Sequence, residues 1–456
     1  MSEQVDVVVL GMGPGGEDVA ERLAESGLDV VGIDAELVGG ECPYWGCIPS
    51  KMMIRAANAL VEGKRIAELA GRSEVHPDWA PVARRIRDEA TDSWDDQVAV
   101  DRFVATGGEY VRGRARLDGP HRVVVGDRVI EGRRAVVVAT GARFWLPPVP
   151  GLADTPYWTN RDAIRTETVP ESLLVLGGGA IGVELAQVFH RFGADVTVIE
   201  TAPTLVGPEE PEAAHLLADI FGAAGIHLHL GVSVSSVRHA PAGFVVTLED
   251  GTELTGEQLL VAAGRRPDLA TLGAATLGID EDARALLVDD HLRVVGADRV
   301  WAVGDVTGRG AFTHMATYQA GIVVADVLGH EVVPATYEAV PRVTFTDPEI
   351  GSVGITERAA LDQGLRVRVG LASVPSTARG WIHKAGNEGV IKLVEDADRG
   401  VLVGATSMGP TGGEVLGLLT LAIHAGVPTG TLQSMIYAYP TFHRGVEDAL
   451  RDLHPV

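Results

Sequence analysis

The sequence of 456 residues predicts an α/β fold with two Rossmann-like domains and a C-terminal α+β domain. A glycine-rich turn between an apolar strand and a helical pattern occurs twice, and each turn is followed 18 residues later by an acidic residue. Beyond about residue 340 the pattern changes to short strands and helices. We therefore expect three domains, formed by residues 1–145 with 266–340, residues 146–265 and residues 341–456.

The first turn follows the apolar run at residues 5–10 and has the spacing GxGxxG through Gly11, Gly13 and Gly16. A helical pattern follows, and the next strand ends at Asp34. Glycines allow the backbone to approach a pyrophosphate, and the helix N-terminus attracts its charge. The acidic residue can accept hydrogen bonds from a ribose, so this unit predicts a dinucleotide site.

The second turn repeats this pattern with Gly177, Gly179, Gly182 and the acidic residue Glu200. Two copies predict two dinucleotides, or one dinucleotide and a flavin. The alternative is that one copy is a remnant of the fold without a ligand. Because both copies keep their glycines and their acid, we expect both to bind.

Composition and charge exclude several classes of protein. The chain has 62 acidic and 38 basic residues and a net charge of −24, which disfavours binding to nucleic acid or to an anionic membrane surface. The longest largely apolar run, residues 173–189, contains Glu184 and four glycines and does not resemble a membrane span. The N-terminus has no secretory pattern, so we expect a cytoplasmic protein with no membrane span and no nucleic-acid partner.

The only two cysteines, Cys42 and Cys47, lie five positions apart, shortly after Asp34. Pro49 indicates the first turn of a helix, which places Cys47 at a helix N-terminus, where a thiolate is stabilised. A cysteine pair beside a bound dinucleotide suits dithiol–disulfide exchange. Two unrelated thiols or half of a metal site are the alternatives. Because no further cysteines complete a zinc site, we expect no metal.

The sequence resembles the class I flavoprotein disulfide reductases, which include dihydrolipoamide dehydrogenase, glutathione reductase and mercuric reductase. The resemblance covers essentially the whole chain. Besides the cysteine loop at residues 39–51, the motifs that carry it are ATG at 139–141, IGVE at 181–184, GRRP at 264–267, AVGD at 302–305 and FTDPE at 345–349.

The resemblance implies that FAD occupies the first site and NAD(H) the second. The implied FAD-binding residues are Gly11, Gly13, Gly16, Asp34, Gly40, Lys51, Ala115, Thr140, Gly141, Asp305 and Thr313. The implied NAD-binding residues are Gly177, Gly179, Gly182, Glu200, Val234 and Gly264. The C-terminal domain would form a homodimer whose partner subunit completes the active site.

The family also implies roles in the reaction. Hydride would pass from the nicotinamide to the flavin, and the reduced flavin would open a Cys42–Cys47 disulfide. Cys47 would be the flavin-side thiolate, and Cys42 would attack the substrate. Lys51, one of only four lysines, would pair with Glu184 near the flavin.

The charge around Glu200 predicts a preference for NADH over NADPH. A carboxylate suits a 2′-hydroxyl and repels a 2′-phosphate. Residues 201–237 contain no Lys or Arg that could bind such a phosphate. An arginine from outside this range, for example Arg191, could overturn this expectation.

The C-terminus departs from the family pattern His-Pro-Thr-x-x-Glu, because Tyr439 takes the histidine position and Arg444 the glutamate position. Tyrosine, with a usual pKa of about 10, is a poor general base at neutral pH. His443 and Glu447, four apart on a predicted helix, are a candidate replacement pair or simply a solvated helix face. The C-terminal cysteine pair of mercuric reductases is missing here.

The small-molecule electron acceptor therefore has more than one candidate. We expect a disulfide substrate, as in dihydrolipoamide dehydrogenase, with Tyr439 or His443 managing protons. A non-thiol acceptor such as a quinone or a metal ion is the alternative, because the usual histidine is replaced. Tyr44 and Trp45 could stack on a flat acceptor or pack at the dimer interface. A flavoprotein that senses redox state without turnover ranks last.

Overall fold

The computed structural model describes residues 2–456. They divide into two compact units, each assembled from three separate stretches of chain. Unit 1 contains residues 2–50, 84–145 and 264–337, and unit 2 contains residues 51–83, 146–263 and 338–456.

The strands, in chain order, are β1 (Glu3–Leu10), β2 (Val30–Asp34), β3 (Glu109–Arg112), β4 (Ala115–Leu117), β5 (Arg122–Val125), β6 (Arg128–Val138), β7 (Arg143–Phe144), β8 (Ser172–Leu176), β9 (Asp195–Glu200), β10 (His227–Leu230), β11 (Val234–Ala240), β12 (Gly243–Leu248), β13 (Glu253–Gly256), β14 (Gln258–Val261), β15 (Arg265–Arg266), β16 (Val300–Ala302), β17 (Pro341–Thr344), β18 (Glu349–Gly354), β19 (Val367–Ser373), β20 (Val390–Asp396), β21 (Val401–Gly409) and β22 (His454–Pro455).

The α-helices are α1 (Pro14–Glu25), α2 (Glu41–Trp45), α3 (Cys47–Leu69), α4 (Ala80–Arg85), α5 (Gln97–Ala105), α6 (Asn160–Arg165), α7 (Ala180–Arg191), α8 (Pro211–Ala224), α9 (Leu269–Leu272), α10 (Thr313–Leu328), α11 (Glu357–Asp362), α12 (Ala378–His383), α13 (Gly412–His424), α14 (Thr429–Ser434) and α15 (Arg444–Arg451). Short 3₁₀ and π turns connect several of them.

The central sheet of unit 1 has the strand order β3-β2-β1-β6-β5-β4, and β16 also pairs with β6. Strands β3, β2, β1, β6 and β16 run parallel. Their residues read as nearly continuous valine and isoleucine because helices cover parallel sheets on both faces. The carboxyl ends of β1 and β2 therefore meet at the edge that carries Gly11 and Asp34.

Unit 2 contains a second parallel sheet, β10-β9-β8-β14, and an antiparallel sheet, β11-β12-β13. It also contains a six-stranded antiparallel sheet in the order β17-β18-β21-β20-β19-β22. Helices α13 and α15 bury Leu419, Val446 and Leu450 in the core on this sheet. Hydrophobic burial of these faces stabilises the C-terminal α+β part.

A buried cation crosslinks unit 2. Lys392 of β20 has a side chain only 4% exposed and forms ion pairs with Glu210, Glu212 and Glu357 at 3.0, 2.8 and 2.6 Å. Such a charge is tolerated inside a protein only when it is paired. The cluster therefore ties the start of α8 to β20 and α11.

These sheets confirm the predicted α/β fold with two Rossmann-like parts and a C-terminal α+β part. The division into three domains stays a prediction. The two compact units of the structure do not correspond one to one to the three predicted domains.

Candidate active site

The first glycine turn has two kinds of glycine. Gly11 has φ +93°, and a Cβ built on Gly16 would lie 1.9 Å from the Gly11 carbonyl oxygen, so both positions require glycine for folding. A Cβ on Gly13, which precedes α1, would instead meet open space. The turn therefore leaves room in front of the helix N-terminus, where a phosphate binds well.

Asp34 closes this turn from the end of β2. Its Oδ2 accepts a hydrogen bond from Met12 N at 2.7 Å, and its Oδ1 accepts one from Glu36 N at 2.7 Å. Burial raises the pKa of the Asp34 carboxyl, although both backbone hydrogen bonds oppose that shift. The carboxylate is thus fixed in orientation at the strand end.

The second turn repeats this geometry. Gly177 has φ +117°, and a Cβ on Gly182 would lie 1.9 Å from the Gly177 carbonyl oxygen, while Gly179 faces open space. Glu200 accepts hydrogen bonds from Gly178 N at 2.6 Å and from Ala202 N at 2.8 Å. Both copies have therefore kept the complete turn.

The cysteines lie close together in unit 1. Cys42 is in the short helix α2, which the sequence did not predict, and Cys47 is the first residue of α3, as predicted. The Cys47 Sγ lies 3.5 Å from the hydroxyl of Thr313, at the start of α10. Cys47 is exposed and Cys42 half-buried, so a reactive partner can reach the pair.

A half-buried carboxyl, that of Asp305, lies near Cys47. Burial raises the pKa of Asp305, the nearby Arg265 opposes the shift, and Glu41 reinforces it. Arg265 also donates a hydrogen bond to Glu41 at 3.2 Å, which ties the cysteine loop to the GRRP motif. The GRRP motif therefore also contributes to the structure, because its first arginine binds a residue of the cysteine loop.

The predicted Lys51–Glu184 pair is present in unit 2, with 2.7 Å between Nζ and Oε2. The Glu184 side chain is 7% exposed, and its other oxygen accepts a hydrogen bond from Phe345 N at 2.8 Å. The Lys51 ammonium also lies 4.6 Å from the centre of the Phe345 ring. A buried carboxylate held from two sides fixes the lysine in place.

Sequence reasoning missed a group of polar contacts around Asp347, made by α7, which also carries Glu184, and by α3, which also carries Lys51. On α7, Gln187 exchanges hydrogen bonds of 2.7 and 3.0 Å with the backbone of Asp347, and Arg191 donates to the Asp347 carboxylate at 2.7 Å. From α3, Arg65 also donates to Asp347, at 3.0 Å, while Arg191 donates to Asn58. The only available signal was spacing, since these residues recur along one face of each helix.

Arg191 is thus held among unit 2 side chains. Burial lowers the pKa of its guanidinium, and the neighbouring Asp347 opposes that shift. A buried arginine bound to a carboxylate is a structural cation rather than a free phosphate ligand.

The C-terminal candidates are arranged around arginines. Tyr439 is 69% exposed, and the Arg444 guanidinium lies 5.3 Å from the centre of its ring. Glu447 forms ion pairs with Arg444 at 3.3 Å and with Arg451. His443 immediately precedes α15 rather than lying within it. The roles of Tyr439, His443 and Glu447 remain predictions.

The remaining candidates fall at turns and strand ends. A Cβ on Gly40 would lie 2.9 Å from Gly13 Cα, and one on Gly11 would lie 3.0 Å from Thr140 Cα, so these residues converge on the first turn. Ala115 and Val234 begin β4 and β11. Gly141 and Gly264 have φ of +65° and +121°.

Sequence profiles of two families match this chain. Residues 5–320 match a family described as pyridine nucleotide-disulphide oxidoreductase, and residues 340–450 match the dimerisation domain of the same family. The chain belongs to the pyridine nucleotide-disulphide oxidoreductases. Members bind FAD and use NAD(P)H, and the dimerisation domain supports a homodimer.

Similar proteins agree with this family. The chain is 33% identical to a dihydrolipoyl dehydrogenase of Haloferax volcanii over 97% of this chain and 95% of the relative. It is 30% identical to a mercuric reductase of Bacillus cereus over 98% and 71%. A Cu(II) complex of the HOCl-induced flavoprotein disulfide reductase RclA from Escherichia coli superposes with a TM-score of 0.86, at 27% identity and 99% coverage of both chains.

The first turn fits the FAD of this oxidoreductase family. The open space at Gly13 and the oriented carboxylate of Asp34 match the needs of a pyrophosphate and a ribose. Among residues 2–456, no helix is long and apolar enough to cross a membrane, and no group of three or more His, Cys, Asp or Glu side chains could hold a metal ion.

Proposed function

We propose that this oxidoreductase transfers electrons from NADH, through FAD and the Cys42–Cys47 pair, to a small disulfide substrate of the lipoamide kind. The observation that carries the proposal is the placement of Cys47 at the first residue of α3, close to Cys42 and 3.5 Å from Thr313. A dithiol in such a position exchanges readily with an external disulfide. The relatives named dihydrolipoyl dehydrogenase support this substrate class.

The cofactor would be held by the first glycine turn, Asp34 and Asp305. When bound, FAD supplies two-electron chemistry between a nicotinamide and a disulfide. The protein contributes orientation: the turn leaves space before α1, and Asp34 is fixed by two backbone N–H groups. Lys51, held by Glu184, contributes a fixed positive charge.

The sulfur chemistry follows from the helix. The N-terminus of α3 lies at Cys47, and the positive end of the helix dipole there favours the thiolate form of that side chain. Cys42, on the preceding short helix, is the sulfur that would attack the external disulfide. A mixed disulfide with Cys42 would then be resolved by the Cys47 thiolate.

The contacts of Glu200 support NADH as the preferred donor. Its carboxylate is fixed at the second turn by Gly178 N and Ala202 N, where it can bind a ribose 2′-hydroxyl and repel a 2′-phosphate. Arg191, one cation that could reverse this preference, instead binds Asp347 and Asn58.

A second candidate function is the reduction of a non-thiol acceptor, a quinone or a metal ion such as Cu(II). Two observations favour it. Tyr439 stands where the family base is a histidine, and it lies against Arg444. A protein with the same fold, RclA, has been solved with Cu(II). Electron transfer to such an acceptor needs no strong general base.

One anaerobic experiment separates the two candidates. The holoenzyme is reduced with one equivalent of NADH, and its flavin spectrum is followed while lipoamide, a small quinone or Cu(II) is added. The proposal predicts a long-wavelength thiolate–flavin band and rapid reoxidation by lipoamide. Reoxidation by the quinone or by Cu(II) alone would establish the second function, and a flavin that stays oxidised with excess NADH would refute both.

A homodimer whose partner subunit completes the site, and a cytoplasmic location, belong to the same proposal. The match of residues 340–450 to the family's dimerisation domain supports the dimer.

A further inference from the structure

A strained segment of unit 1 lies beside the cysteine loop. We call residues 86–96 the brace. It begins with a π-helical turn, Ile86–Ala90, and continues with Asp92, Ser93 and Trp94, whose φ angles are 45°, 56° and 60°. Left-handed backbone is unfavourable for non-glycine residues, so three in succession persist only where the surroundings enforce them.

Thr91 organises the brace from inside. Its side chain is buried, and its hydroxyl donates to the Ile86 carbonyl at 3.0 Å, which closes the π-helical turn. The same oxygen accepts a hydrogen bond from Trp94 N at 3.4 Å. The Thr91 hydroxyl therefore links the end of the π-helical turn to the backbone of Trp94. This link helps to hold the three left-handed residues and fixes the position of Trp94.

The brace contacts the cysteine loop on both sides. Trp94 stacks on Trp45, with ring centres 5.6 Å apart and an angle of 17° between the planes. Trp45 is the last residue of α2, two positions before Cys47, and is 5% exposed. On the other side, the Asp96 carboxylate accepts a hydrogen bond from Val38 N at 2.6 Å, just before the loop begins.

Asp96 is itself fixed. Arg112 of β3 donates to its Oδ1 at 2.7 Å, and Asp96 is buried. One short segment of the chain therefore contacts Val38, just before the cysteine loop, and Trp45, inside the loop between the two cysteines. Cys42 lies between these two contacts, and Cys47 follows Trp45 by two positions.

We propose that Trp94 is a positioning residue that holds the cysteine loop in the conformation in which the two sulfurs can bond. This inference rests on the proposed dithiol function and adds a residue to it. A loop held in one conformation keeps each thiol close to the other, which favours the disulfide over the open dithiol. The strain in residues 92–94 is retained because it directs this ring onto Trp45.

The equilibrium that reports the effect is exchange with glutathione. Cys42 and Cys47 each give up one thiol proton and one electron as the S–S bond forms. Glutathione disulfide takes up both electrons and both protons and yields two molecules of glutathione. A looser cysteine loop lowers the equilibrium constant of this reaction.

The test compares Trp94→Ala and Trp94→Phe with the wild-type holoenzyme in glutathione buffers of graded ratio. Thiols are trapped by alkylation and counted by mass spectrometry. We expect Trp94→Ala to lower the exchange constant about tenfold, equivalent to about 30 mV for a two-electron couple. Trp94→Phe keeps an aromatic face and should stay within about threefold of wild type.

Trp79→Ala is the matched control. Trp79 also stacks on an aromatic ring, with 5.4 Å between its centre and that of Phe189, but it belongs to unit 2. Trp79 is buried and donates a hydrogen bond to the Thr166 carbonyl, whereas Trp94 is half-buried, so the removal of Trp79 disturbs packing at least as much. It should nevertheless leave the exchange constant unchanged. If Trp94→Ala does not yield folded holoenzyme, Trp94→Leu, which keeps apolar bulk without a stacking face, is titrated with the same expectation.

The possible outcomes distinguish the positioning role of Trp94 from the proposed dithiol function on which it rests. An exchange constant in the Trp94 variants equal to that of wild type, or one that falls equally in Trp79→Ala, would overturn the positioning role alone. A wild-type enzyme whose cysteines form no disulfide at any glutathione ratio would overturn the dithiol function as well. A shift confined to Trp94→Ala and Trp94→Leu supports both.

Discussion

Lys51 and Glu184 form an ion pair of 2.7 Å in which the carboxylate is the more deeply buried partner. Because Phe345 N also binds this carboxylate, the position of the lysine is set by the fold of unit 2 rather than by solvent. The fixed charge is therefore present before any ligand arrives, as electrostatic stabilisation requires.

Glu184→Gln tests this arrangement. The amide keeps an oxygen for Phe345 N but loses the charge that holds Lys51, so we expect NADH-dependent turnover to fall roughly tenfold or more. The free energy of unfolding should fall by about 1–2 kcal/mol, since Lys51 is partly exposed. Stopped-flow flavin absorbance and urea unfolding measure the two effects. Glu253→Gln, which removes an exposed partner of Arg238, serves as control and should change neither.

Glu200→Gln tests the choice of nicotinamide. Loss of the carboxylate removes the repulsion of a 2′-phosphate and weakens the contact with a 2′-hydroxyl, so the ratio of kcat/KM for NADPH to that for NADH should rise about tenfold. Asp195→Asn, at the exposed start of the same strand, is the control. An unchanged ratio in Glu200→Gln would show that another residue selects the coenzyme.

Tyr439→His combined with Arg444→Glu restores the residue types of the family pattern. Histidine has a usual pKa of about 6.5, near the optimum for a general base, so we expect lipoamide turnover at pH 7 to rise at least tenfold. The pH profile should gain a limb in this range. Reduction of a quinone should not change, because it needs no such base. No gain with lipoamide would count against a disulfide substrate.

Lys392→Met tests the buried cluster of unit 2. Burial alone would lower the pKa of Lys392, but hydrogen bonds to Glu212 and Glu357 outweigh it, and the pKa is raised. A raised lysine pKa stabilises the fold fully below the unfolded value of about 10.4, and the contribution is lost as pH rises through the higher folded value.

We therefore expect Lys392→Met to lower the free energy of unfolding by about 3–5 kcal/mol between pH 7 and 10. The difference from wild type should shrink at higher pH, as the wild-type lysine loses its charge. Urea unfolding across this range measures it, with the exposed Lys64→Met as control. A difference independent of pH up to strongly alkaline conditions would contradict the charge argument.

The two glycine-rich turns were predictable because their signal is local. Strands β2 and β9 end at Asp34 and Glu200 as expected, since apolar runs and glycine spacing determine them. The sequence predicts helix from Glu17 to Glu25, but α1 begins three residues earlier, at Pro14, because Gly15 and Gly16 themselves belong to its first turn. Helix α2 was not predicted, since five residues with a proline carry no periodic pattern.

The supporting contacts could not be predicted because they join distant stretches of chain. Asp347 forms ion pairs with Arg65 and Arg191, which lie on two different helices. No feature near Asp347 in the sequence indicates either partner. The left-handed residues of the brace contain no glycine, the usual signal for such backbone. Their conformation is imposed by tertiary contacts.

The glycines of the two turns should respond to mutation in two different ways, according to whether the fold or the ligand requires them. Alanine at residue 16 or 182 would collide with a backbone carbonyl oxygen 1.9 Å away, and so should reduce the yield of soluble chain. Alanine at residue 13 or 179 would meet no protein atom and so should give a normal yield of folded protein. At residue 13 it should block FAD and give colourless protein, and at residue 179 it should give yellow protein that no longer binds the nicotinamide coenzyme. A simple screen by expression and colour could therefore assign each glycine to folding or to ligand.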